Sequence, residues 1–296
     1  MKMFKFFMLS ALLCVGTIIG ASCGDDDEED DQKPNNGAKD GFASLPGVFS
    51  VSTDKKVAFS SGNLQYQAST KTWRFAPNQT DTIGVANEMI SESYDGWIDL
   101  FGWGTGDNPT KSSESYSDYP TFNDWGKNIG DDSTWFTLSI SEWEYLLTKR
   151  EDASKKKGVA AVNGINGVVL LPDEFVLPDG LNFNNGRGDS NDKDSFKSVN
   201  EYNTEQWTKM EAAGAVFLPA AGHRNCTSDV YRDSGFDSNS GYGFYGYYWS
   251  CRPYSGDKRT TGRCAYCVCV LAYRIDTLYG GDRDEGMSVR LVRVVE

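Results

Sequence analysis

Residues 45–296 predict an irregular, loop-rich α+β domain. Short stretches of alternating apolar and polar residues occur at both ends, one convincing helix and a second helix candidate lie between them, and a long segment rich in Gly, Asp and aromatic residues follows neither period. The chain is 13% aromatic, so large buried rings can hold shape where regular ladders do not. No internal repeat and no second linker interrupts this stretch, and a single domain is expected.

In order along the chain, Val48 to Ser52 and Lys56 to Ser60 alternate as half-buried strands, and Asn63 to Gln67 and Thr72 to Phe75 continue the pattern. From Ser93 to Trp125 the run Gly96 to Gly104 and its neighbours predict a loop packed through its rings. Ser139 or Ser141 caps a helix carrying Trp143, Leu146 and Leu147 on one face and ending at Lys149 and Arg150. Val168 to Leu171 reads as a strand, Glu205 to Ala213 as a second helix stopped by Gly214, and Ala215 to Gly222 as a buried strand and turn. Ser288 to Val294 closes the chain as an alternating strand.

Ahead of this domain, Lys2 and Lys5 precede an apolar stretch, Phe6 to Ile19, too short to span a bilayer comfortably. Gly20-Ala21-Ser22-Cys23 ends it and resembles a bacterial lipoprotein signal, which implies a signal peptide over 1–22 and lipidation of Cys23. Gly20 stands where a leucine-like residue is usual, so release as a secreted or periplasmic protein stays open. Asp25 to Asp31 are seven consecutive acids, a self-repelling block that makes 23–44 an extended, disordered tether. An acidic run behind the lipidated cysteine also resembles the export signal of Bacteroidetes surface lipoproteins, which implies the outer face of the outer membrane. The only membrane contact expected is the lipid anchor. A net charge of -13 repels phosphate backbones, so no nucleic-acid partner is expected.

Several phrases together resemble one family: Phe59 to Tyr66, Trp97 to Gly104, Trp135 to Arg150, Leu171 to Asp173, Val216 to Gly222, Gly246 to Ser250, Ala265-Tyr266 and Gly286 to Arg293. They are similar to surface lipoproteins with a C-type-lectin-like fold, related to the formylglycine-generating-enzyme superfamily. Some of these are variable proteins of diversity-generating retroelements, in which rewritten codons near the C-terminus change exposed, ligand-contacting side chains. Rewriting an Asn codon in that way cannot yield Lys, Gln, Glu, Met or Trp. Here Asn is absent after Asn239, Gly262 to Asp282 lacks those five residues, and the last 57 residues hold eight of 15 tyrosines. The resemblance therefore implies a binding segment over about 240–286 whose ligand is an extracellular protein or glycan.

Within that segment, alternation places Tyr266, Val268 and Val270 on one side and Cys267, Cys269, Leu271 and Tyr273 on the other. The second set is expected to stand in water, extended by Tyr279 and Asp282 and bordered by Tyr245, Tyr247, Cys251, Arg252 and Tyr254. Tyrosine-rich faces suit recognition because they offer large amphipathic area with little rotamer entropy to lose. The opposing reading, that these tyrosines pack a loop-rich core, stays open.

No catalytic residue, metal or cofactor is expected. Cys264, Cys267 and Cys269 are one ligand short of a closed zinc site, and Cys251 or Cys226 would have to complete it. A disulfide suits an oxidising compartment better, with Cys251 and Cys264 the expected pair. Cys264 and Cys269 match a formylglycine-type cysteine pair by position alone. His223, the lone histidine, is expected beside an exposed turn, and Asn123-Asp124 as a turn rather than a calcium ligand pair.

Overall fold

The computed structural model describes residues 42–295, apart from 131–133, 191, 226–242 and 257–261. The expected signal peptide, Cys23, the acidic run and Cys226 lie outside the described residues. In chain order the elements are β1 (Phe49–Ser50), β2 (Lys56–Phe59), β3 (Leu64–Gln67), β4 (Thr72–Phe75), β5 (Trp97–Ile98), β6 (Trp135–Phe136), α1 (Ile140–Glu144), β7 (Lys157–Val162) and β8 (Ile165–Leu170). They continue with α2 (Asp194–Val199), β9 (Glu201–Tyr202), α3 (Thr204–Ala212), β10 (Val216–Pro219), β11 (Tyr245–Pro253), β12 (Cys264–Leu271), β13 (Arg274–Asp282) and β14 (Val292–Val295). Short sheets, short helices and long connections make this the loop-rich α+β architecture expected.

The first sheet, ordered β1-β2-β14-β6, joins the two ends of the domain, with Val292 opposite Phe59 on one side and Phe136 on the other. The alternation read over Ser288 to Val294 becomes a regular strand only at Val292. Before it, the backbone is shared among other partners: Ser60 N–H donates to Leu291 O and Leu64 N–H to Val289 O. Order also begins earlier than the expected end of the tether. Phe42 packs edge-on against Phe75 at 5.3 Å, and Arg293 donates to the Ser44 hydroxyl at 2.7 Å.

Ser139 is the cap of α1, in a full capping box with Glu142, and Glu142 also takes the ammonium of Lys55. The helix then widens into a π-turn over Tyr145–Lys149, which keeps Leu146 and Leu147 buried on the face that the spacing predicts. Asn203 and Gln206 form a second capping box on α3.

The sheet β10-β8-β7-β9 is covered on both faces, which is why its strands read as continuous apolar runs. Val159, Val168, Leu170, Val216 and Leu218 enter one core with Phe49, Phe59 and Trp143. Ala160, Val162, Val169 and Phe217 enter another under Trp207 and Met210 of α3. A third core is aromatic: Trp103, Trp125, Trp135 and Trp249 pack with Phe101, Leu64 and Met287. The Gly96 to Gly104 loop hangs on these rings. Asp124 is the turn residue expected, accepting from Gly126 N–H and from both the amide and the hydroxyl of Thr137.

Candidate functional site

The sheet β11-β12-β13 contains nine of the eleven candidate positions, Tyr254 follows the end of β11, and Tyr273 turns the β12–β13 hairpin at its open end. Its registers place Tyr245 opposite Leu271, Tyr247 opposite Cys269 and Trp249 opposite Cys267. On the far side Cys267 faces Tyr279, Cys269 faces Asp276 and Leu271 faces Arg274. All of these side chains therefore share one face of the sheet.

That face is not open along its whole length, and the expected exposure of Cys267 and Cys269 is wrong. Cys267 is 0% and Cys269 1% exposed. β12 is inserted between two cores: Val268 and Val270 pack inward as predicted, but Cys267 is also inside, against Trp249, Ala265 and Met287. Period-two alternation cannot distinguish a half-buried strand from one covered on both faces when the covering residues are small. Tyr266, expected in the core, is half-buried instead, its ring packed at a tilt against Tyr254 at 4.7 Å.

Beyond Cys269 the face emerges from the core. There Leu271 is half-buried and Tyr273 exposed, while beside the two cysteines Tyr247, opposite Cys269, is half-buried and Tyr279, opposite Cys267, is exposed. Tyr245 is 8% exposed and supports the ring of Tyr247 at 5.6 Å, so it belongs to the floor of the face. Tyr279 covers Tyr247 from β13 at 5.3 Å, and His223 stands edge-on to Tyr247 at 5.2 Å. The result is a contiguous set of four rings, of which Tyr247 and Tyr279 reach the surface while Tyr245 and His223 lie beneath them. Arg274 and Asp276, ion-paired on β13, lie beside it.

His223 and Glu285 are the residues that sequence reasoning missed here. His223 is 9% exposed, packed beside Tyr245 and Tyr247 rather than at an exposed turn, because β10 leads directly into the floor of this face. Its Nε2 lies 3.9 Å from Glu285 Oε1. Burial, reinforced by the charge of Asp282, pushes the Glu285 carboxyl up to about 7. The single histidine was a visible signal; its neighbours were not.

The remaining candidates lie elsewhere. Tyr254 rests over Gly280, where a Cβ would come within 3.0 Å of its ring, and with Tyr266 it belongs to the opposite face. Asp282 is engaged by the Arg263 guanidinium and by the Cys264 thiol at 3.1 Å. Arg252 is exposed and Cys251 half-buried where β11 bulges away from β12. That bulge also breaks the expected Cys251–Cys264 disulfide. Cys251 N–H turns to Leu138 O, the Cys264 thiol turns to Asp282, and both thiols are free.

Burial raises every described thiol: Cys251 to about 11, Cys264 and Cys269 to about 12, and Cys267 well above its ordinary value. At neutral pH these sulfurs stay protonated. Burial above all, reinforced by the neighbouring Cys269 and Tyr279, raises the pKa of the Tyr247 hydroxyl. Among the described residues no group of three or more His, Cys, Asp or Glu side chains is placed to hold a metal ion, and no helix is long and apolar enough to cross a membrane. The site offers a preorganised aromatic contact surface with a carboxyl–imidazole pair at its margin. No family model, no curated protein and no solved structure matches the chain.

Proposed function

We propose that the chain is a lipid-anchored surface protein of the outer membrane whose β11–β13 sheet presents Tyr247, Tyr279, Leu271 and Tyr273 to an extracellular protein or glycan. The observation that carries this reading is the accessible part of the ring set, Tyr247 and Tyr279, mounted on the buried rings of Tyr245 and His223. Its rings are held by ladder pairing and by each other, so little side-chain entropy is lost when a ligand covers them. A C-type-lectin-like scaffold with a diversified C-terminal segment accounts for the tyrosine-rich, asparagine-free tail, and a lipidated Cys23 followed by seven acids accounts for display outside the cell.

The reading includes no catalytic step. Cysteine oxidation chemistry needs an ionisable, accessible sulfur, whereas burial holds the described thiols protonated. Binding of the purified chain to arrayed glycans and extracellular glycoproteins tests the reading, with Tyr247→Ala/Tyr279→Ala beside the wild type. A signal lost by at least about tenfold in the double variant, about 1.4 kcal/mol, supports it. Equal signals from both proteins overturn it. Metabolic labelling with palmitate, present in wild type and lost in Cys23→Ser, tests the anchor separately.

A further inference from the structure

An open cavity of about 270 Å³ lies at the start of β7, lined by Ser154, Lys157, Gly186, Arg187 and Ile275. It is smaller than the roughly 300–1,000 Å³ typical of drug-sized ligands and suits a small one. Its frame is tied together by backbone bonds. Gly186 N–H donates to Lys157 O at 3.2 Å, Val159 N–H to Gly186 O at 3.0 Å, and Gly188 N–H to Ala272 O at 2.7 Å. Gly186 has φ +125 and nothing within 4 Å of the place a Cβ would occupy, so its backbone borders open space.

The charge of this cavity is opposite to that of the chain. Against a net charge of -13, the five lining residues include two cations and no carboxylate. The buried Arg150 close by is satisfied by Asp173 at 3.1 Å, and Asp173 is further occupied by the amide and hydroxyl of Ser50. Lys157 uses one ammonium proton on Leu147 O and has two more to give. Arg187 is exposed and forms no ion pair among the described residues. Burial and the like charges of Arg150 and Arg187 hold the Lys157 ammonium below its ordinary value. Uncompensated cations around a small hollow are the arrangement that an anion stabilises.

We propose that this cavity binds an oxyanion through Lys157, Arg187 and Ser154, either as a free sulfate-like ion or as the acidic group of a sugar. Ile275 supplies the apolar wall on which a sugar ring would rest. The site is independent of the four-ring set, since Ile275 and Asp276 project to opposite faces of β13.

Titration calorimetry of the purified chain with sulfate, glucuronate and glucose at fixed ionic strength, together with NMR titration of the Lys157 side chain, tests it. We expect sulfate or glucuronate to bind and to raise the Lys157 pKa, glucose to do neither, and Arg187→Gln to weaken binding at least about tenfold while leaving the fold intact. Glucuronate binding tighter than sulfate assigns the site to acidic sugars, and the reverse order assigns it to free oxyanions. No binding by either anion, equal binding by glucose, or undiminished binding by Arg187→Gln overturns the proposal.

Discussion

Tyr247 pairs with Cys269 across the β11–β12 ladder, and its half-buried ring closes over a thiol that is 1% exposed. The tyrosine is thus both a surface contact and a lid over the sulfur beneath it. Tyr279, opposite Cys267, extends the cover from the other strand.

Removing that lid is expected to change thiol chemistry selectively. In the native protein at pH 8, Cys267 and Cys269 should resist alkylation by iodoacetamide, because they are buried and protonated. Tyr247→Ala should make Cys269 react at least about tenfold faster while Cys267, held under Trp249 and Met287, changes little. Peptide mapping of the alkylated protein measures both. An unchanged Cys269 rate would show that something other than Tyr247 shields it.

Gln79 is expected to be the most sensitive polar residue of the interior. Its carbonyl accepts from Phe217 N–H and from Arg290 Nη2, each at 2.7 Å, while its amide donates to Ala215 O and to Glu211. Arg290 is 2% exposed and, among the described residues, otherwise donates to Asn63 at 3.3 Å alone; burial lowers its pKa to about 10. Gln79→Leu leaves a buried guanidinium and an amide short of acceptors, at a cost of about 3 kcal/mol in denaturant unfolding. A loss below about 1 kcal/mol would mean that the network relaxes around the gap.

Stability is expected to fall as pH rises from about 4 to about 7. Asp99, fully buried, is raised from 3.8 to about 6, chiefly by burial, and Glu285 from 4.5 to about 7. Both groups bind a proton more tightly in the folded state, so their contribution is full below the unfolded values and is lost as pH passes the folded ones. Asp173, Glu142 and Asp282 are lowered and act in the opposite sense, weakening the fold as pH falls below about 4. Denaturant melts across pH should therefore show a maximum near the unfolded carboxylate values. Asp99→Asn should remove the part of the decline between pH 4 and 6, at most about 3 kcal/mol. A pH-independent plateau over that range in wild type would contradict the assignment.

Ser139 and Trp143 show what the sequence makes legible. A cap, an apolar spacing and a basic end specify a helix locally, and the structure keeps all three. Val168 to Leu170 and Val216 to Leu218 are equally plain, because strands covered on both faces leave continuous apolar runs. β12 fails the same reading for a physical reason. Cysteine and alanine are small enough to sit under Trp249 and Met287, so an alternating pattern conceals a second buried face. The face that does open is set by where the aromatic core ends, a tertiary fact with no period in the chain. His223, from the segment after β10, packs on Tyr247, and Glu285, from the turn after β13, lies beside His223; the two are far apart in sequence and only the tertiary fold brings them together.

The central claim, that an exposed recognition end is mounted on a fixed scaffold, is tested most directly by sequencing this gene in sister isolates. Substitutions should concentrate at Tyr247, Leu271, Tyr273, Arg274 and Tyr279, while Tyr248, Trp249, Val268 and Val270, each no more than 1% exposed, stay unchanged. Differences spread evenly over buried and exposed positions of β11–β13, or absent from the exposed end, would contradict it.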